Sequence, residues 1–129
     1  MKILLIVAAV ALTYYVATLL STRSTYTLQD AEKQIASGEA LLIDVRESSE
    51  WASGVAGPAR LLPLSDLQGS RSQWKPFLEQ NRDKELLVYC RSGNRSGIAA
   101  GILRSEGCKV TNIGSYGAWM NAGLPTRKP

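Results

Sequence analysis

The stretch from Glu85 to Leu103 constrains this chain more than any other. Leu86, Leu87, Val88 and Tyr89 form a short apolar run suited to a buried parallel strand. From Ser96 onward, Ile98, Ala99, Ile102 and Leu103 recur at three- and four-residue intervals, which predicts an amphipathic helix. Between the two lie Cys90, Arg91, Ser92, Gly93, Asn94 and Arg95. A strand feeding a polar, glycine-containing turn that opens into a helix aims several backbone N–H groups at one point. The positive end of the helix dipole adds to that field. A cysteine at the mouth of such a cradle, flanked by Arg91 and Arg95, is expected to favour its thiolate and to accept an anionic substrate. Gly93 supplies a turn position without a Cβ. Ser92 and Ser96 are expected to offer hydroxyls, or Ser96 to act only as the helix N-cap.

The rest of the chain reads as alternating helices and strands. Thr27-Leu-Gln-Asp30 carries a helix-start signature, Leu28, Ala31 and Ile35 share a face, and Gly38 is a C-cap. Leu41 to Val45 is a strand, apolar except for Asp44, and a buried acid needs a partner. Pairing with Arg46 or with backbone, as structural support beside the loop, is the expected role of Asp44. A polar loop or short helix around Trp51 and a short strand over 60–64 follow, then a turn beginning at Ser65. A helix lies within 70–81, with Pro76 in its first turn. Gly107 caps the loop helix, 109–113 is a strand, 116–122 a last helix, and 126–129 a tail. This order predicts an α/β fold with a central parallel sheet and helices on both faces. In that architecture the site lies outside the carboxyl ends of the strands, where Cys90 falls.

Composition narrows the chemistry. The net charge of +4 is scattered, and Lys2 and Arg23 lie outside the domain, so no nucleic-acid face is expected. The chain has no histidine, which removes histidine-based mechanisms and most catalytic zinc schemes; no metal or organic cofactor is expected. Cys90 and Cys108 are separated by a helix of about ten residues, roughly 15 Å, too far for a disulfide. Residues 3–20 are apolar apart from Thr13, Tyr14, Tyr15 and Thr18. As a helix they span roughly 27 Å, close to a bilayer core. They read as a single-pass membrane anchor over 1–22, followed by a domain over 23–129. The alternative is a signal segment cleaved on export to the periplasm.

Cys-Arg-Ser-Gly-Asn-Arg-Ser after an apolar strand resembles the active-site loop of the rhodanese family of single-domain sulfurtransferases. The likeness runs from about Tyr26 to Leu124, through Leu-Leu-Ile-Asp-Val-Arg (41–46), Glu50-Trp51 with Gly54, Leu62-Pro63-Leu64, and Gly-Ser-Tyr-Gly-Ala-Trp-Met-Asn-Ala-Gly-Leu-Pro (114–125). Gly54-Val55-Ala56 stands where the family often has Gly-His-Ile, so that histidine is absent. The resemblance implies a rhodanese-like fold and sulfur transfer through a Cys90 persulfide. Thiosulfate or a similar donor would supply the sulfur, and a thiol or protein acceptor would take it. Arg91, Ser92, Gly93, Asn94, Arg95 and Ser96 would hold the substrate. A membrane-tethered persulfide relay or a non-catalytic binding module on the same fold is the alternative; a phosphatase or an arsenate reductase is a lesser one. Phosphatases of this fold place five residues between cysteine and arginine, whereas four separate Cys90 from Arg95.

Overall fold

In the computed structural model of the chain the described residues are 1–21 and 26–129, the side chains of 19–21 excepted. Four parallel strands form the central sheet in the order β3-β1-β4-β5: β1 (Ala40–Asp44), β3 (Arg60–Leu61), β4 (Glu85–Cys90) and β5 (Val110–Ser115). Successive side chains on a strand point to opposite faces, and the two faces bury separate cores. Ile43, Leu86, Val88 and Cys90 face one core, built with Leu64 and Leu67 of α4 (Leu64–Gln68), Trp74 of α5 (Trp74–Gln80), and Ala99 and Leu103 of α6 (Asn94–Ser105). Leu42, Leu87 and Tyr89 face the other, with Ala31 of α2 (Leu28–Ser37) and Trp119 of α7 (Tyr116–Asn121). Helices therefore cover both faces, as expected. The two fully buried tryptophans each place an indole N–H on a backbone carbonyl, Trp74 on Pro63 at 2.9 Å and Trp119 on Pro125 at 2.8 Å. Burying an indole without such a partner would cost part of the gain from its area.

Local signals in the sequence match the structure where the cause is local. Thr27 and Asp30 form a reciprocal capping box on α2, and Gly38 ends it in the left-handed region at φ 80°. Other expectations need correction. Residues 64–68 form the short helix α4 rather than a turn. Thr126–Arg127 is not a free tail but a strand, β6, antiparallel to β2 (Val55–Ala56), and Arg127 also donates to the carbonyls of Gly57 and Ala59. Helix α6 starts at Asn94, so Ser96 is inside its first turn rather than at its cap, and Ile98 is 51% exposed rather than in the core.

The N-terminal segment forms α1 (Lys2–Ser21), and its large apolar side chains from Ile3 to Leu12 are exposed. The expected membrane-crossing helix over 3–20 is not found: among the described residues no helix is long and apolar enough to cross a membrane. Lys2 begins the helix, and Thr13, Tyr14, Tyr15 and Thr18 interrupt its apolar run, so the continuous apolar length that a bilayer core of roughly 30 Å requires is not reached among the described residues. The expected boundary between residues 22 and 23, and the flanking Arg23, lie outside the described residues.

Candidate active site

Cys90 is the last residue of β4, and its sulfur is fully buried at the floor of the loop that follows. Gly93 adopts φ 94°, a backbone conformation open to glycine, and directs its N–H to Cys90 Sγ at 3.0 Å. An added Cβ would meet Gly114 Cα at 3.5 Å, an ordinary contact, so the backbone angle rather than space requires glycine here. The Ser96 hydroxyl lies 3.4 Å from the same sulfur. Burial pushes the Cys90 thiol up, but hydrogen bonds from the Ser96 hydroxyl and from the N–H groups of Ser96, Gly93 and Ser92 outweigh it, and the net shift is downward. The expected thiolate bias is present, then, with hydrogen bonds rather than the flanking arginines as its leading cause.

A residue that sequence reading missed holds this loop in place. Asn112, on β5, donates to the Gly93 carbonyl at 3.0 Å, accepts the Gly114 N–H at 3.0 Å, and sets its Oδ1 2.7 Å from the Ser96 hydroxyl, whose single proton it shares with Cys90 Sγ. The register between β4 and β5 slips between Val88 and Tyr89, which brings Ser115 opposite Cys90. Asn112 thus reaches three backbone or hydroxyl groups around the loop from the neighbouring strand.

Two carboxylate–guanidinium pairs flank the cysteine. Asp44 is fully buried, Arg46 is 4% exposed, and Arg46 Nη2 meets Asp44 Oδ2 at 2.7 Å. Arg46 Nε donates to the same carboxylate, and the Tyr89 hydroxyl donates to Oδ2 at 2.7 Å while accepting the Ala56 N–H. The Arg46 guanidinium also stacks over the Tyr116 ring, 4.5 Å from its centroid. Burial together with the Asp44 charge pushes the Tyr89 hydroxyl well above its ordinary range. The second pair joins Arg95 to Glu50 of α3 (Ser48–Trp51), Nη1 to Oε2 at 2.6 Å and Nη2 to Oε1 at 2.8 Å. Glu50 also accepts the Glu47 N–H. The Arg95 hydrogen bonds lead in holding the Glu50 carboxyl down at about 2.

The expected site residues thus separate. Cys90, Gly93 and Ser96 meet at the sulfur; Asp44 and Arg46 pair beside it. Arg95 spends both terminal nitrogens on Glu50 instead of pointing an open fork at a substrate. Ser92 and Asn94 are exposed on the loop, with the Asn94 N–H 3.4 Å from the Ser92 hydroxyl. Arg91 is exposed and lines an open cleft of about 540 Å³ with Arg46, Glu50, Ser53, Tyr116, Gly117 and Met120. Both cysteines are free, and Cys108 lies at the opposite end of the sheet, in a cavity of about 280 Å³, with its thiol pushed up by burial and by Glu106. Among the described residues no cluster of His, Cys, Asp and Glu could hold a metal ion.

Residues 27–122 match the rhodanese-like domain family. An uncharacterized protein of Synechocystis is 40% identical over 104 residues, covering 79% of this chain and 53% of that protein, so the chain spans about half the length of that relative. The human thiosulfate:glutathione sulfurtransferase is 31% identical over 109 residues, covering 74% of this chain and 92% of its own. The crystal structure of a rhodanese-related protein from Thermoplasma volcanium superposes with a TM-score of 0.67 at 28% identity, covering 81% of this chain and 97% of that one. With residues 27–122 matched, the chain belongs to the rhodanese-like domain family.

Proposed function

We propose that this chain is a sulfurtransferase that carries sulfane sulfur as a persulfide on Cys90. Thiosulfate or a similar small anion is the donor, and a thiophilic acceptor, a thiol or a protein, takes the sulfur. One observation carries the reading: a fully buried cysteine at the end of a central strand whose sulfur accepts the Gly93 N–H at 3.0 Å and whose thiol is shifted downward. The Cys90 thiolate attacks the outer sulfur of the donor, and sulfite leaves with the electron pair of the broken S–S bond. The loop amides of Ser92, Gly93 and Ser96 then stabilise the negative charge on sulfur as preorganised donors. Arg91, from its exposed place beside the cysteine, favours the approach of an anion. Relatives named as sulfurtransferases support this class of reaction. Turnover of thiosulfate and cyanide by native protein, with intact mass after loading, tests it. Native protein is expected to gain the mass of one sulfur atom, and Cys90→Ser to gain none and to fall to background turnover. Equal rates in the two proteins would end the reading.

The exposed apolar surface of α1 supports a second element, association of the domain with a membrane through residues 3–20. Large apolar side chains such as Ile3, Leu4 and Leu5 are at least two-thirds exposed, and a continuous surface of that kind is unfavourable in water. Flotation of the full chain with liposomes is the expected result, and a chain that stays monomeric in the aqueous fraction would exclude it.

A further inference from the structure

The Ser96 hydroxyl carries one proton and stands between two acceptors. Cys90 Sγ is 3.4 Å away on one side, and Asn112 Oδ1 is 2.7 Å away on the other. The backbone fixes which way the Asn112 amide faces. Its Oδ1 takes the Gly114 N–H at 3.0 Å and its Nδ2 gives to the Gly93 carbonyl at 3.0 Å. The reversed amide would set donor against donor and acceptor against acceptor. An amide oxygen cannot donate, so the 2.7 Å contact is a hydrogen bond only while the Ser96 O–H points at Asn112. Ser96 and Cys90 are both fully buried, so at the sulfur bulk solvent does not replace a hydrogen bond that turns away. The amide is packed against the first turn of α6, where a Cβ on Gly97 would lie 3.5 Å from Asn112 Nδ2.

We propose that Asn112 is a positioning residue that competes with Cys90 for the Ser96 proton and so ties that hydrogen bond to the charge on the sulfur. The proposal rests on the sulfurtransferase reading and adds a residue to it. While the sulfur is neutral, as a thiol or as the inner atom of the persulfide, the hydroxyl donates to Asn112 Oδ1, the shorter contact. An anionic sulfur is the stronger acceptor, and the hydroxyl turns to it. Asn112 Oδ1 then keeps only the Gly114 N–H. The proton stays on Ser96 Oγ throughout; only the O–H bond rotates. In discharge of the persulfide, the thiophilic acceptor attacks the outer sulfur and forms a bond to it. The bond from Cys90 Sγ to that sulfur breaks, and its electron pair returns to Sγ. The Ser96 hydrogen bond to Sγ is made as this charge appears and not beforehand, which is the condition for it to lower the barrier. Charged and titratable groups surround the loop: Arg91, the Arg95–Glu50 pair, and the Asp44–Arg46 pair with the Tyr89 hydroxyl. Helices α4 and α5 bring the apolar Leu64, Leu67 and Trp74 to the core that holds Cys90. The hydrogen bonds of Asn112 go to neutral groups, so replacing this amide leaves the surrounding charges as they are.

The test is the pH midpoint of Cys90 alkylation by iodoacetamide, followed through the mass of the Cys90 peptide so that Cys108 does not contribute. It is measured in native protein, Asn112→Ala, Ser96→Ala and the double variant. Removing Asn112 gives the whole Ser96 proton to the sulfur, which favours the thiolate. Any loosening of the loop acts with and without the Ser96 hydroxyl and drops out of the difference between the two backgrounds. That difference is expected to be a downward shift of about half to one pH unit when the hydroxyl is present, the effect of one hydrogen bond. A residue that only braces the loop would shift the midpoint equally in both backgrounds. That result, or a difference of the opposite sign, would overturn the proposal. Where Asn112→Ala does not fold, the Asn112 side-chain amide of native protein is followed by nitrogen–proton NMR through the Cys90 titration. Its resonances should move at the Cys90 midpoint and lose most of that movement in Ser96→Ala, and equal movement in the two proteins would overturn the proposal. The readouts concern the thiol alone. Protein that follows the expected cycle yet never gains a sulfur from thiosulfate defeats the sulfurtransferase reading and leaves the competition for the Ser96 proton in place.

Discussion

Two bidentate carboxylate–guanidinium pairs stand on either side of Cys90, with similar geometry and very different surroundings. Asp44 and Arg46 are almost fully enclosed, whereas the side chains of Arg95 and Glu50 are 32% and 28% exposed. In water the attraction between two charges is weak and largely offset by the ordering of two long side chains. Inside the protein it is strong, but both charges have first lost their hydration. The molecule supplies what the buried pair lost: the Tyr89 hydroxyl, the Arg46 backbone N–H and the Gly54 carbonyl complete its hydrogen bonds. The buried pair is therefore a rigid part of the sheet, and the exposed pair is an adjustable charge at the rim.

The largest effect should come from breaking the buried pair. Asp44→Ala leaves the Arg46 guanidinium enclosed without its counter-charge and deprives the Tyr89 hydroxyl of its acceptor. Removing one partner of a buried pair costs about 3–5 kcal/mol, a large share of the stability of a domain this size. Urea unfolding should show a midpoint lowered accordingly. A loss below about 1 kcal/mol, the value for a surface pair, would erase the contrast between the two sites.

A smaller and more local effect should follow in the thiol that lies between the pairs. The Ser96 hydroxyl leads the contributions that favour the thiolate, ahead of the loop amides. Ser96→Ala should therefore raise the pH midpoint of Cys90 alkylation by iodoacetamide and slow the reaction several-fold at neutral pH, with the fold retained. The pKa of Cys90 in the native fold lies below its ordinary value, so the advantage over a free thiol is full between the two values and disappears as pH rises through the ordinary one. An unchanged midpoint in Ser96→Ala would shift the cause from the Ser96 hydroxyl to the N–H groups of the loop.

The two pairs also differ in how far they could be read from the sequence. Asp44 lies in an apolar strand with an arginine two residues on, and the cost of burying an acid alone makes the pairing readable. The cysteine loop is readable for a similar reason, since strand, polar glycine turn and helix are each signalled locally. Glu50 and Arg95 are 45 residues apart, and neither is out of place on a polar surface, so only the folded chain brings them together. Asn112 is hidden for a related reason: its partners Gly93 and Ser96 lie 19 and 16 residues away, and reaching them depends on the β4–β5 register and its slip at Val88 and Tyr89. Helix α4 has five residues, too few for a periodic pattern. Strand β6 has two, and a strand that short exists only because β2 lies beside it.

The smallest effect separates the pairs by charge alone. Glu50→Gln removes the carboxylate from the exposed pair while keeping its shape, and stability should change by less than about 1 kcal/mol at neutral pH. The acid limb is more telling. The Glu50 carboxyl lies at about 2 in the folded chain against an ordinary 4.5. A carboxyl lowered on folding stabilises above its ordinary pKa, and that contribution drains away as pH falls from about 4.5 through about 2. Thermal melts of native protein over this window should fall more steeply than those of Glu50→Gln, and added salt should narrow the gap because the pair is within reach of solvent ions. A salt-insensitive gap, or a neutral-pH loss as large as that from Asp44→Ala, would mean that the rim pair is as much a structural member as the buried one. The Arg95–Glu50 pair beside Cys90 would then be fixed by the fold rather than adjustable at its edge.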